Sequence, residues 1–178
     1  TVNGQSVQLS WSTASETNNA GFEVEHKYRS ENFEKLGFVE GEGTTSNPQR
    51  YSFEVAGDLE PGPHTFRLKQ VDLDGSSTYS GAQEVALSPS GAYSLSAAAP
   101  NPFHQSTTMQ LTVSESQPVR ASVYNTLGQR VRTVLDREVS ADQPLDLRLD
   151  AQNLASGMYV VQVKGENFGT TRKVTLVK

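Results

Sequence analysis

Residues Leu145 to Asp150 read Leu-Asp-Leu-Arg-Leu-Asp, and this strict alternation of apolar and charged residues decides the fold class. Successive side chains of a β-strand point to opposite faces, so the three leucines face one way and the charged residues face the other. The same period of two recurs along most of the chain, between turn residues that return about every 8–12 positions. This pattern predicts an all-β protein built from sandwiches.

The distribution of strand-breaking residues and of charge along the chain favours two domains over one. The segment Ser88-Pro89-Ser90-Gly91 concentrates strand-breaking residues and offers no apolar anchor. Residues 1–90 carry 6 Lys and Arg against 13 Asp and Glu, a net charge of −7, whereas residues 91–178 carry 9 against 7, a net charge of +2. We predict a first domain over residues 1–88, a linker over 89–92 and a second domain over 93–178. No residue-level repeat between the two halves is evident.

Composition excludes several kinds of function. The chain contains no Cys, which rules out disulfides, Cys-ligated metals and thiol nucleophiles. It has no run of about 18 apolar residues, so no membrane-spanning helix is expected. The acidic first half argues against a nucleic-acid partner, because phosphate binding needs a basic surface. The chain begins at Thr1 without Met or a signal peptide, so we expect a fragment of a longer precursor.

No catalytic or metal-binding constellation stands out, so we predict neither an enzyme nor a cofactor. The histidines lie far apart in sequence, at His26, His64 and His104, and ordinary structural roles are expected for them. Residues 72–75 read Asp-Leu-Asp-Gly but lack the further oxygen ligands of a calcium loop, so a hairpin turn is the better interpretation.

In the first half, residues 15–20 are predicted to form a polar loop, and Glu23 and Glu25 are interpreted as solvated carboxylates on one strand face. Four aromatic residues alternate with polar neighbours and are predicted to face the core: Trp11, Phe22, Phe53 and Phe66.

Four short motifs follow one another in residues 93–178. Pro100-Asn101-Pro102-Phe103 comes first, Tyr124-Asn125 with Gly128-Gln129 forms a predicted hairpin, Leu154, Gly157 and Tyr159 form a Leu-x-x-Gly-x-Tyr element, and Lys173 and Lys178 lie in the last strand. Each motif alone is common, since turns everywhere use Pro, Asn and Gly. In this order, residues 93–178 resemble the type A C-terminal sorting domain of proteins exported by the bacterial type IX secretion system.

The resemblance implies an Ig-like sandwich that the outer-membrane translocation apparatus recognises in the periplasm, after Sec export. It also implies a surface sortase that can remove the domain and transfer the cargo to a lipopolysaccharide anchor. The expected partners are this apparatus, its sortase and an upstream cargo domain of the same chain, with a secreted or cell-surface destination. The candidate recognition residues are Pro100, Asn101, Pro102, Phe103, Gly128, Leu154, Gly157, Tyr159, Lys173 and Lys178.

The first half resembles the fibronectin type III-like domain that often precedes such sorting domains. The residues that carry this resemblance are Leu9-Ser10-Trp11, Glu16-Thr17-Asn18-Asn19, Gly21-Phe22-Glu23-Val24-Glu25 and the segment from Phe66 to Asp72 with Gly75. The resemblance places Trp11 in the core and leaves the first strand largely missing at Thr1. His64 stands where this group usually has a tyrosine, which leaves open whether the tyrosine-corner hydrogen bond forms.

These observations predict a non-catalytic secretion and surface-targeting module behind a spacer domain. The last strand, predicted over residues 171–178, can be offered to a partner by β-addition. Lys173 and Lys178 then either supply charge for recognition or only protect the strand edge. The alternative is a carbohydrate-binding or adhesive pair of β-sandwiches appended to a surface enzyme. Such a pair would bind sugar through Tyr28, Tyr79 or Phe168, but the sequence does not place these rings in a row.

Overall fold

The computed structural model describes residues 2–3, 6–29, 32–55, 57 and 59–178 of the 178-residue chain. The chain divides into two compact units, Thr1–Leu87 and Ser88–Lys178. Every regular element in the described residues is a β-strand, and the paired strands run antiparallel. In this part of the chain no helix is long and apolar enough to cross a membrane. The predicted all-β class is confirmed.

The first unit packs two sheets face to face. Its strands are β1 (Val2–Asn3), β2 (Ser6–Thr13), β3 (Glu16–Lys27), β4 (Glu34–Thr45), β5 (Gln49–Val55), β6 (Gly62–Asp72), β7 (Ser77–Tyr79) and β8 (Gln83–Leu87). One sheet has the order β1-β2-β5, and the other has the order β4-β3-β6-β7, with β8 also paired to β6. Val7 and Val55 of one sheet meet Phe66 and Leu87 of the other in a small buried core.

Trp11 extends this core with an aromatic cluster. Its ring meets Phe22 edge-on at a centroid distance of 5.5 Å and stacks on Tyr51 at 5.7 Å. Phe22 and Phe66 are buried, and the half-buried Phe53 packs against the core. The predicted inward orientation of the four aromatic residues is confirmed.

The polar loop predicted over residues 15–20 is wrong, because Glu16 begins β3. Glu16 is buried, and its carboxylate accepts hydrogen bonds from Thr13 Oγ1 (2.7 Å), Tyr51 OH (2.6 Å) and the Glu42 backbone N–H (3.0 Å). These donors belong to β2, β5 and β4. The polar side chain that suggested a loop therefore joins β3 to three other strands. The adjacent register between β3 and β4 is irregular on both sides of the buried Asn19.

The second unit is also a two-sheet sandwich. Its strands are β9 (Tyr93–Leu95), β10 (Ser106–Val113), β11 (Gln117–Tyr124), β12 (Arg130–Val139), β13 (Leu145–Asp150), β14 (Gly157–Lys164) and β15 (Gly169–Leu176). The sheets have the orders β13-β10-β9 and β12-β11-β14-β15. The leucines of β13 face inward as predicted: Leu147 and Leu149 are buried with Met109 and Leu111 against Val161 and Val174 of the facing sheet.

The two units share one strand order. Counted from the start of each unit, the first, second and fifth strands form one sheet, and the fourth, third, sixth and seventh form the other. The prediction of two consecutive sandwiches of the Ig-like or fibronectin type III-like class is confirmed. Both boundaries of the last strand differ from the prediction, because β15 begins at Gly169 and not at Thr171, and ends at Leu176 and not at Lys178.

Candidate functional site

The sequence motifs of the second unit meet at one end of its four-stranded sheet. Tyr124, the last residue of β11, lies opposite Val160 of β14, and Val160 lies opposite Lys173 of β15. The β11–β12 hairpin, the start of β14 and the end of β15 therefore occupy the same end. We call it the motif end and define it as residues 100–103, 124–131, 154–160 and 173–178.

Asn125 organises the hairpin between β11 and β12. Its Oδ1 accepts hydrogen bonds from the backbone N–H groups of Leu127 and Gln129, both at 3.0 Å, and its Nδ2 donates to Gln129 Oε1 at 2.8 Å. Gly128 has a φ of +75° and donates its N–H to the Asn125 carbonyl. Asn and Gly are therefore required here by the turn itself.

The start of β14 forms a tyrosine corner. The hydroxyl of Tyr159 donates a hydrogen bond of 2.7 Å to the Ala155 carbonyl, four residues earlier. Gly157 lies between them with a φ of +152°, and Leu154 is buried in the core. The Leu-x-x-Gly-x-Tyr element thus combines an apolar anchor, a backbone position suited to glycine and a hydrogen bond that closes the corner.

The Pro100–Phe103 segment lies along the outer edge of β15. Asn101 donates from Nδ2 to the Lys173 carbonyl (3.2 Å) and accepts at Oδ1 from the Thr175 N–H (2.9 Å), so its amide imitates the backbone of a neighbouring strand. Phe103 continues this pairing, since its N–H donates to the Thr175 carbonyl and its carbonyl accepts from the Val177 N–H, both at 2.9 Å. The Phe103 ring is fully buried.

The two lysines at the chain end are exposed. The backbone N–H of Lys178 donates to Ser156 Oγ at 3.1 Å. Asn101 and Phe103 already form hydrogen bonds with the backbone edge of β15 between Lys173 and Val177. The lysine side chains are therefore not needed to protect this stretch of the edge. Arg172, which the sequence analysis did not single out, also holds β15, by donating to the carbonyls of Leu95 (2.6 Å) and Ser96 (3.3 Å).

The structure thus brings the ten candidate recognition residues to one end of the second unit, although they span positions 100 to 178 of the sequence. Their role in recognition stays a prediction. Six of them have a structural reason to be there, in the strand edge, the hairpin or the corner: Asn101, Phe103, Gly128, Leu154, Gly157 and Tyr159.

In the first unit, two of the three histidines converge although they are 38 positions apart in sequence. His26 Nε2 and His64 Nδ1 lie 2.8 Å apart, and His64 Nε2 lies 2.7 Å from the Glu60 carbonyl. A carbonyl only accepts, so His64 donates from Nε2 and its Nδ1 accepts from His26. Burial lowers the pKa of both imidazoles, and the neighbouring His64 lowers the pKa of His26 further.

His64 makes the bond that a tyrosine corner would make, which answers the question left open by the sequence. His64 bonds to the carbonyl four residues earlier, as Tyr159 does, and Gly62, with a φ of +133°, stands two residues before it as Gly157 does before Tyr159. Residues 59–64 and 154–159 share the pattern Leu-x-x-Gly-x-ring. The expectation of no residue-level repeat is therefore wrong at this corner.

The solvated interpretation is also wrong for Glu25, which is buried beneath Arg67. Arg67 Nε donates to Glu25 Oε2 at 2.6 Å. The Arg67 guanidinium lies 3.9 Å from the centroid of the Phe33 ring and 4.1 Å from that of Tyr79. The two rings thus lie against the guanidinium that binds the buried carboxylate.

The rings considered for sugar binding each have a partner within the chain. Tyr79 covers Arg67, Tyr28 stacks on His64 at 4.3 Å, and Phe168 stacks on Tyr93 at 4.5 Å.

At residues 72–75 the structure forms a hairpin turn, with Gly75 at a φ of +87° and Asp74 Oδ1 accepting from the Ser76 N–H at 2.9 Å. Among the described residues, no three His, Asp or Glu side chains are grouped so that they could hold a metal ion.

Comparison with known proteins finds a family match in the second unit. Residues 97–177 match the family model of the secretion system C-terminal sorting domain. No curated protein matches the chain.

Several solved structures are similar to the chain at low identity. Dimeric latent PorU from Porphyromonas gingivalis is 15% identical over 98% of this chain and 18% of its own, with a TM-score of 0.38. A tetra-tandem repeat from the extending region of a large adhesion protein is 18% identical over 97% of this chain and 44% of its own, with a TM-score of 0.35. The fibronectin(III)-like modules of Clostridium thermocellum CbhA are 13% identical over 97% of this chain and 86% of their own, with a TM-score of 0.33.

This chain therefore spans less than half the length of the PorU and adhesion-protein chains. The predicted resemblance of the second unit to a type IX sorting domain is confirmed by the family match, which covers residues 97–177 of the chain.

Proposed function

We propose that this chain is a non-catalytic targeting module that directs an attached cargo protein through the type IX secretion system to the cell surface or the medium. The family match of residues 97–177 carries the proposal. The convergence of exposed motif residues at the motif end supports it, among them Asn101, Gly157 and Lys173, because a recognition signal has to present its parts on one surface.

The two units have different roles in this proposal. We assign residues 93–178 to sorting, residues 89–92 to a linker and residues 1–88 to a fibronectin type III-like spacer. The partners are the outer-membrane secretion apparatus, its surface sortase and the cargo domain. The chain passes the periplasm on this route and needs no cofactor.

Export of a reporter protein tests the proposal directly. The full chain is fused behind a Sec signal and a folded reporter, in a host that carries the type IX system. Reporter should be released to the medium or displayed on the surface, and deletion of residues 93–178 should leave it in the periplasm. A matched deletion of residues 1–88 should preserve export, because the spacer carries no signal. Export that persists without residues 93–178 contradicts the proposal.

A further inference from the structure

The second unit groups its exposed large apolar side chains at the motif end. Across residues 88–178, which the structure describes throughout, four such side chains are exposed: Leu127 (81%), Met158 (49%), Val177 (42%) and Val131 (40%). All four belong to segments of the motif end. Exposed apolar residues that are scattered singly are ordinary, but a group of them marks an interaction site.

Strand register places Met158 near Val177, and Leu127 lies at the same end of the sheet. Met158 lies opposite Thr175 in the ladder between β14 and β15, on the face of the sheet that points away from the core. Val177 follows Thr175 by two residues along the same strand edge. Leu127 stands at the tip of the hairpin next to β14, where β11 ends.

The backbone holds Leu127 in place before any partner arrives. Its N–H is bound to Asn125 Oδ1, and the turn that presents it is closed by the hydrogen bonds of Gln129 and Gly128 to Asn125. A side chain on a fixed backbone loses only its own rotamer freedom on binding, which favours a specific contact.

The charges at this end have one sign. The motif end contains Arg130, Lys173 and Lys178 and no Asp or Glu. All three cations are exposed. A partner that complements this surface must therefore place acidic groups around its apolar contact.

We propose that Leu127, Met158 and Val177 form a docking surface for a folded protein that offers an apolar recess bordered by carboxylates. This inference rests on the proposed sorting function, for which it names the contact surface and the chemistry of the partner. Leu127 enters the recess, Met158 and Val177 cover its border, and Arg130 and Lys178 pair with the carboxylates.

The observations favour a protein over a membrane as the occupant. Even a complete myristoyl chain gives only marginal membrane binding, and a single protruding leucine with three half-exposed neighbours buries far less apolar surface. A rigid hairpin tip suits a recess of defined shape, whereas a fluid bilayer does not require one.

Export of the full chain with surface variants tests this inference. Leu127→Ser and Met158→Gln, singly and together, are fused behind the Sec signal and the reporter. The matched control is Leu73→Ser, since Leu73 is 69% exposed on a turn of the first unit. Arg130→Gln is paired with Arg148→Gln, because Arg148 is also exposed but lies in the other sheet.

The double variant should lower release of the reporter at least about ten-fold, as expected when an interface anchor is truncated. The reporter should accumulate in the periplasm, and the melting temperature of the purified chain should not change. Arg130→Gln should lower release by a smaller factor. Both control variants should export at the parental level.

Three results would overturn the docking surface. They are parental export of the double variant, an equal loss of export with Leu73→Ser, and binding of the purified chain to phosphatidylglycerol vesicles that Leu127→Ser abolishes. The deletion of residues 93–178 separates this inference from the proposed function. If the deletion blocks export and the double variant does not, only the docking surface fails.

Discussion

The Nε2 atom of His64 donates a hydrogen bond of 2.7 Å to the carbonyl of Glu60, four residues earlier in the chain. Tyr159 makes the same bond to Ala155 in the second unit at 2.7 Å. One sandwich thus closes its corner with an imidazole and the other with a phenol. The two rings differ in what they can do when the pH changes, and this difference leads to separate predictions for the two units.

Removal of the corner bonds should destabilise each unit by a different amount. Tyr159→Phe should lower the free energy of unfolding by about 0.5–1.5 kcal/mol, the usual net value of one hydrogen bond. His64→Phe should cost more, about 1–3 kcal/mol, because it leaves both the Glu60 carbonyl and the His26 N–H without a buried partner. Urea unfolding followed by amide exchange reports the two units separately. Tyr124→Phe, at a half-buried ring on the sheet surface, should change neither.

Acid should weaken the first unit. Both imidazoles have folded-state pKa values below 6.5, His26 because of burial and of His64, and His64 because of burial and of Arg29. Glu34 opposes the shift of His26, and the bond to the Glu60 carbonyl opposes that of His64. As the pH falls below 6.5, the unfolded chain takes up protons that the folded unit does not, so stability decreases until the lower folded-state values are passed.

The measurement is the unfolding free energy of the first unit at about pH 7.5 and about pH 5.5, where linkage predicts a decrease. His64→Phe and His26→Gln should each reduce this dependence. NMR titration gives a direct check: imidazoles of His26 and His64 that titrate at 6.5 in the folded chain would contradict the prediction.

Glu16 should be the most sensitive carboxylate of the first unit. Burial alone would raise its pKa, but the hydrogen bonds that it accepts, first of all from Tyr51, lower its pKa to about 2. Glu16→Gln replaces one acceptor oxygen by a donor that faces donors, and should cost about 1.5–3 kcal/mol in unfolding free energy. Glu42→Gln is the matched control, because Glu42 contributes only its backbone N–H to this cluster. Equal melting temperatures of the two variants would refute the assignment.

Glycine is required at two turns of the motif end. Gly128 and Gly157 have φ values of +75° and +152°, so Ala at either position should cost about 1 kcal/mol or more, although a Cβ there would meet no neighbour. Gly169→Ala is the control, because Gly169 lies in β15 without a positive φ and also has open space around it. The comparison is made by urea unfolding of the three variants.

Stability and export should separate along β15. Val174 is fully buried, so Val174→Asp should unfold the second unit, at a cost of more than about 3 kcal/mol for an unpaired buried carboxylate. Lys173 is exposed, so Lys173→Glu should change the unfolding free energy by less than about 0.5 kcal/mol. It should nevertheless reduce export of the reporter if the charge is recognised. Parental export by Lys173→Glu and by a chain without Lys178 would show that these lysines are not part of the signal.

The sequence predicts the β-sandwich fold well because most strands bury one face and expose the other to solvent. The alternation in Leu145–Asp150 follows directly from burial of one face, and the structure pairs these residues with β10 in a regular register. The segment from Ser15 to Ala20 has no such alternation, since Glu16 and Asn19 are polar and buried. The partners of the Glu16 carboxylate come from three other strands, and only the tertiary fold shows that this buried carboxylate is satisfied.

The residues of the candidate site, too, can be predicted from the sequence only in part. Pro100–Phe103, the hairpin glycine and the corner tyrosine can be identified because their order along the chain is a signature. Leu127 and Met158 cannot be identified in this way, because the sequence does not show that an apolar residue is exposed. The pairing of His26 with His64 depends on the register of β3 with β6, which no local pattern determines.

The amide of Asn101 has a consequence for the behaviour of many copies of this chain together. An edge strand with free backbone groups is a template on which further copies can add, and repeated addition produces fibres. Asn101 and Phe103 occupy the backbone groups of β15 from the Lys173 carbonyl to the Val177 N–H. The strand that ends the chain is therefore closed to polymerisation along this stretch, and the protein can reach high local concentration without its final strand seeding an aggregate.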